Sequence, residues 1–112
     1  MRAKRLSEYR IMWVFVFFDL PTGTPKERKA ATSFRQELLK DGFTMFQYSI
    51  YMRHCASMEQ AQTHVRRVKA MLPDEGEVVI MTLTDKQFGM MEHFSSRKPT
   101  DAVQLPGLFD IL

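Results

Sequence analysis

Eight apolar residues in a row, IMWVFVFF at positions 11–18, end abruptly at Asp19, and no other stretch restricts the fold as much. The run is rich in aromatic and β-branched types and far too short to cross a bilayer as a helix, so it predicts a buried strand. A carboxylate set directly against such a run is costly to leave without a partner. Asp19 therefore either caps the turn that follows or has chemistry to perform. Arg2, Lys4 and Arg5 give the segment the basic start of a secretory leader. Asp-Leu-Pro follows in place of a small-residue cleavage site, which favours the strand.

Helix punctuation comes next. Thr24, Pro25 and Glu27 supply an N-cap, a first-position proline and a capping-box carboxylate, and Gly42 supplies the stop. Between them Ala30, Ala31, Phe34 and Leu38 line one face, while Arg28, Thr32 and Arg35 line another. Residues 43–53 (FTMFQYSIYMR) are strand-like but irregular in alternation. They predict two short strands meeting near Gln47, or one strand with a bulge. Ser57 and Gln60 form a second capping pair, Ala61, Val65, Val68 and Leu72 form an apolar stripe, and Pro73 closes that helix. Residues 77–83 (EVVIMTL) read as a strand, and Thr84 with Gln87 opens a short third helix running to about Phe94. A loop and a short tail strand over 108–112 complete the chain.

The order β-α-β-β-α-β predicts an α+β, ferredoxin-like domain over residues 1–94, a four-stranded antiparallel sheet with both helices on one face. Residues 95–112 form its C-terminal loop and tail strand. The opposite sheet face would expose large apolar groups, so a homodimer that covers it is predicted.

The one cysteine, Cys55, excludes an internal disulfide framework and a cysteine-rich zinc site within one chain, and suits a reducing cytoplasm. Net charge is +3, unevenly spread: residues 1–53 hold ten Lys/Arg against five Asp/Glu, and residues 54–112 hold six against eight. A basic half with an aromatic-rich strand suits a phosphate-bearing partner. Arg10, Lys26, Arg28, Lys29, Arg35 and Arg53 are the candidate phosphate contacts, against the competing reading of ordinary solvated faces. Phe43, Phe46, Tyr48, Ile50 and Tyr51 either stack unpaired bases or serve as sheet core and dimer contact. His54 and Cys55 are adjacent and so point to opposite sides of a strand. His64 reads as a core-edge or solvent residue, and His93 beside Glu92 as a surface feature at a helix end.

The segment FVFFDLPTGTPKERKAATSFRQELLKDGFTMFQYSIYMR, with LTDKQFGMM later, resembles the second universal CRISPR-associated protein, the small partner of the CRISPR integrase, in its type II version. The marks are the apolar strand ending in aromatic-Asp, the helix beginning KERKA, and QYSIY after it. The resemblance covers roughly residues 10–94. It implies a ferredoxin-like homodimer that binds double-stranded DNA with the integrase during spacer acquisition. It further implies metal-dependent endoribonuclease or endodeoxyribonuclease activity, with Asp19 as the catalytic and metal-binding residue. It also implies that the last strand pairs with the other subunit's sheet.

The chemistry of Asp19 can be argued independently. Mg²⁺ keeps several waters and takes one or two carboxylates plus substrate phosphates. One Asp per chain is too little, but a two-fold axis near the strand ends would pair Asp19 with its copy around one Mg²⁺. The alternative is that Asp19 accepts backbone N–H bonds around Thr22 and Gly23 as a turn residue. Three functions therefore compete: a DNA-binding scaffold, a Mg²⁺-dependent endoribonuclease acting on single-stranded RNA, and a small-molecule regulatory module. The missing Gly-rich ligand loop and the basic first half argue against the third.

Overall fold

The computed structural model describes residues 11–100. Strand β1 (Met12–Asp19) pairs antiparallel with both β3 (Ile50–Cys55) and β4 (Glu77–Thr84), and β2 (Thr44–Gln47) adds to the outer edge of β3. The sheet order is β2-β3-β1-β4. This placement explains the unbroken apolar run: β1 has a strand on each side and a packed layer on each face. Met12, Val14, Val16 and Phe18 turn to one face, Trp13 and Phe15 to the other, and all six are buried.

Helices α1 (Pro25–Lys40) and α2 (Met58–Ala70) cover the first of these faces, where Phe34, Leu38, Ala61 and Val68 pack on the even-numbered side chains of β1. The Thr24 capping box forms as its sequence predicts, with Thr24 Oγ1 accepting from the Glu27 N–H and Glu27 Oε1 accepting from the Thr24 N–H. At the other end of α1, Gly42 adopts φ +90°. The Phe43 N–H then reaches the Leu38 carbonyl and the Gly42 N–H the Leu39 carbonyl, the paired bonds of a Schellman stop. Of the two readings of residues 43–53, the two-strand one holds: the strands meet at a turn over Tyr48 and Ser49, and an irregularity of register between Met45 and Gln47 falls within their pairing and not within one continuous strand.

The second sheet face differs from expectation. It is covered in part by the short helix α3 (Asp85–Gly89), whose Phe88 stacks on Trp13 at 3.9 Å and 8°. Trp13 Nε1 donates to Asp85 Oδ1 at 2.8 Å, so the indole is satisfied as well as buried. What stays open is a smaller patch centred on Val79 (59% exposed) and Met81 (39% exposed), register partners of Phe17 and Phe15. Helix α3 stops at Gly89 instead of running to Phe94. Residues 93–100 form a hairpin, β5 (His93–Ser95) and β6 (Lys98–Thr100), where a helix end and loop are expected. Its two-residue turn places Ser96 and Arg97 at φ 53° and 69°, a left-handed pair that neither residue type advertises. Leu72, expected in the α2 stripe, lies beyond the helix and is exposed. The tail strand expected over 108–112 lies outside the described residues.

Gly76 ties the turn before β4 to the end of β1. Its φ is +96°, and a Cβ there would stand 2.7 Å from the Asp19 carbonyl oxygen and 2.8 Å from Leu20 Cδ2. Gly76→Ala should therefore destabilise the fold by about 1–3 kcal/mol, measured by urea unfolding. Wild-type stability in that variant would show that the two segments separate freely.

Candidate functional site

Asp19 closes β1 and its side chain is exposed. Among the described residues its carboxylate takes part in no hydrogen bond or ion pair, so the turn-capping role open to it in the sequence is not adopted. The loop that follows is braced by Arg28, whose Nη1 donates to the Thr22 carbonyl at 3.1 Å. Glu77 faces Asp19 in register from β4. Sequence reading finds no second acid near Asp19, because 58 positions separate the two and only strand pairing brings them opposite each other. On the other flank, the Phe18 N–H donates to the Ser49 carbonyl at 3.0 Å, and the chain there continues into Tyr48. The end of β1 is thus set between Glu77 on one side and the Tyr48–Ser49 turn on the other.

The basic candidates divide into three groups. Lys26 and Lys29 stand exposed on the first turns of α1. Arg28 is exposed but occupied in bracing the loop. Arg35 is half-buried, with its guanidinium carbon over the Phe18 ring at 5.6 Å and over the Tyr48 ring at 4.6 Å. Its Nε is enclosed without a hydrogen-bond partner among the described residues. Arg10 lies outside the described residues.

Arg53 belongs to an internal network. Its Nη1 donates to the His54 carbonyl at 2.9 Å, and its Nε approaches His64 Nδ1 at 3.3 Å. Asp41 Oδ2 lies 2.7 Å from the same nitrogen, and Arg67 Nη1 donates to Asp41 Oδ1 at 2.9 Å. An acceptor-only carboxylate at the shorter distance assigns the Nδ1 proton to the Asp41 bond, which leaves that nitrogen no lone pair for Arg53, so the Arg53 Nε approach is a close contact and not a second hydrogen bond. Of the core-edge and solvent readings of His64, the solvent one fails: the residue is buried and paired.

The remaining histidines and the cysteine sit apart from Asp19. His54 and Cys55 do point to opposite faces: His54 lies edge-on to Trp13, and Cys55 is sealed in the helix-side core. Burial pushes the Cys55 thiol pKa up. Burial also lowers the pKa of His54, against the opposing pull of Asp85. His93 begins β5 instead of ending a helix, and its Nδ1 is enclosed beside the Phe46 ring. Of the five candidate stacking residues, Phe43 and Tyr51 are core, Phe46 and Ile50 are half-covered, and Tyr48 alone is open, at 73%.

Among the described residues no three His, Cys, Asp or Glu side chains gather into a metal-sized cluster. An unpartnered carboxylate is nonetheless the ligand type that Mg²⁺ takes, since one or two carboxylates with water and phosphate oxygens complete its shell. A cleft of about 340 Å³ opens nearby between Leu20, Pro21, Ala30, Ala31 and Pro73, but Asp19 does not line it. No helix among the described residues is long and apolar enough to cross a membrane.

Comparison with known proteins bears on this geometry. Residues 12–91 match the family model described as CRISPR associated protein Cas2. A protein of Flavobacterium psychrophilum named CRISPR-associated endoribonuclease Cas2 is 57% identical over 97 residues, covering 87% of this chain and 84% of its own. Its namesake in Parvibaculum lavamentivorans is 54% identical over 95 residues, covering 85% and 94%. A third, from Paracidovorax avenae, is 46% identical and covers 95% and 98%. A solved structure titled "Crystal structure of cas2" superposes with a TM-score of 0.52 at 20% identity, covering 81% of this chain and 95% of that one, a likeness of fold.

Proposed function

The chain belongs to the Cas2 family of CRISPR-associated proteins, and from that premise we propose that it acts as a homodimeric, ferredoxin-like scaffold in spacer acquisition. In that role it binds double-stranded DNA beside the integrase, with a metal-dependent endonuclease activity centred on Asp19. The observation that carries the reading is the exposed Asp19 carboxylate, left without a partner among the described residues at the end of a strand buried over most of its length. The open patch around Val79 and Met81 is the surface we assign to the second copy.

A two-fold axis near the strand ends would bring Asp19 and its copy together to hold one Mg²⁺. Such an ion would supply Lewis-acid polarisation of a phosphodiester and activation of a water. Asp19 supplies charge and orientation, and Glu77 adds negative charge from the neighbouring strand. Without a cation the paired carboxylates repel.

Lys26 and Lys29 are the exposed phosphate contacts on this side of α1. After light scattering establishes the dimer, Lys26→Glu with Lys29→Glu should weaken duplex binding equally across sequences and lower the salt slope by up to about 2. Integration by the cognate integrase should fall with it. Unchanged affinity and slope would remove α1 from the duplex surface.

Hydrolysis of single-stranded RNA is the second reading. It is supported by the Asp19 carboxylate, unpaired among the described residues, and by the word endoribonuclease in the names of the relatives.

A further inference from the structure

Phe18, Arg35 and Tyr48 form a graded arrangement from core to solvent. Phe18 is buried, the Arg35 guanidinium lies over its ring, and the same guanidinium lies over the ring of Tyr48. Tyr48 is covered by Arg35 on one side and is still 73% exposed, so its outer face is open. No carboxylate among the described residues neutralises Arg35, and its Nε is enclosed without a partner. A half-buried cation without a counter-ion is an electrostatic opening for an anion. An aromatic ring already held against a cation is an ordered surface on which another flat group can stack at little entropic cost. Both features stand beside the end of β1, since the Phe18–Ser49 hydrogen bond fixes the turn that carries Tyr48.

The geometry points to Arg35 and Tyr48 as a subsite for one unpaired nucleotide of a strand passing Asp19, with its base stacked on the outer face of Tyr48 and a flanking phosphate drawn to the Arg35 guanidinium. The inference rests on the single-strand reading above, the second of the two, and deepens it. A base can reach an aromatic face only when it is not paired and stacked in a duplex, so the subsite selects single-stranded over double-stranded nucleic acid. Arg35 supplies charge, and Tyr48 supplies discrimination between paired and unpaired bases.

The test is fluorescence anisotropy with the full chain, using labelled single-stranded RNA, single-stranded DNA and a duplex of equal length. Tyr48→Ala should weaken binding of both single strands roughly tenfold or more and change duplex binding less than about twofold. Tyr48→Phe should bind like wild type. A second arm keeps the outcome independent of how the variant folds. One abasic nucleotide is walked along the single strand against wild-type protein, and one position should reproduce the loss. That same abasic strand should suffer no further loss with Tyr48→Ala. Arg35→Gln should weaken single-strand binding and reduce its salt slope by about 1.

Equal loss for duplex and single strand, or an abasic walk with no sensitive position, overturns the subsite while leaving nucleic-acid binding intact. A Tyr48→Ala variant that turns monomeric also overturns it, because Tyr48 would then be a contact between copies. If wild type binds none of the three probes, the nucleic-acid reading fails and the subsite with it.

Discussion

Asp19→Asn should reduce phosphodiester hydrolysis by more than about a hundredfold while leaving the fold and the assembly unchanged. The two halves of that expectation come from one observation. Among the described residues the Asp19 carboxylate bonds to nothing, so replacing it with a neutral isostere removes no contact that holds β1 in place. Exposed substitutions of this kind stay within about 0.5 kcal/mol of wild type. The carboxylate charge, by contrast, is what a divalent cation requires, and an amide oxygen is a far poorer ligand for it. The measurement is cleavage of labelled single-stranded RNA across a Mg²⁺ series, run beside the integration assay on the same preparation. Loss of cleavage with integration intact separates hydrolysis from scaffolding. Full cleavage by Asp19→Asn would sink the metal-ligand role, and loss of both activities would place Asp19 in the integration step itself.

The largest effect on stability is expected at Trp13. This residue is 1% exposed, sandwiched between the sheet and Phe88, and bonded to Asp85. Trp13→Ala should cost about 3–5 kcal/mol, the range for removing a large buried aromatic. Phe88 loses its stacking partner, and Asp85 loses its indole donor at the same time. Trp13→Phe separates these contributions. It keeps an aromatic surface for Phe88 but leaves Asp85 Oδ1 without that donor, a loss of about 1–3 kcal/mol. Urea unfolding at one fixed protein concentration reads both variants, since assembly would make stability concentration-dependent. A Trp13→Ala loss below 1 kcal/mol would mean that α3 contributes little to covering the second sheet face.

How far the residues announce this structure depends on how local each signal is. The α1 boundaries are legible because Thr24, Glu27 and Gly42 act within a few positions of themselves. The role of His64 is not, because its partner Asp41 is 23 positions away and only the packing of α2 beside the end of α1 joins them. Helix α3 is legible at Thr84 and Gln87, where a second capping box forms, but not at its end. Met90, Met91 and Phe94 continue an apolar pattern that favours helix. The reversal is made at Ser96 and Arg97, which carry no glycine or asparagine to mark it. The partial cover of the second sheet face is equally hidden in the sequence, since Phe88 reads as one more apolar residue and only the fold sets its ring on Trp13. At the site, Asp19 stood out by chemical contrast with the run before it. Glu77 and the Arg35–Tyr48 contact did not, since each depends on strand pairing or helix placement across many residues.

The same Trp13 has a practical side. It is the chain's one tryptophan, and its indole is shielded by Phe88 and bonded to Asp85, both carried by α3. Intrinsic emission is therefore a label-free optical gauge of whether α3 is seated. A partner that lifts this helix will announce itself as a red shift, and one that settles elsewhere will leave the spectrum silent.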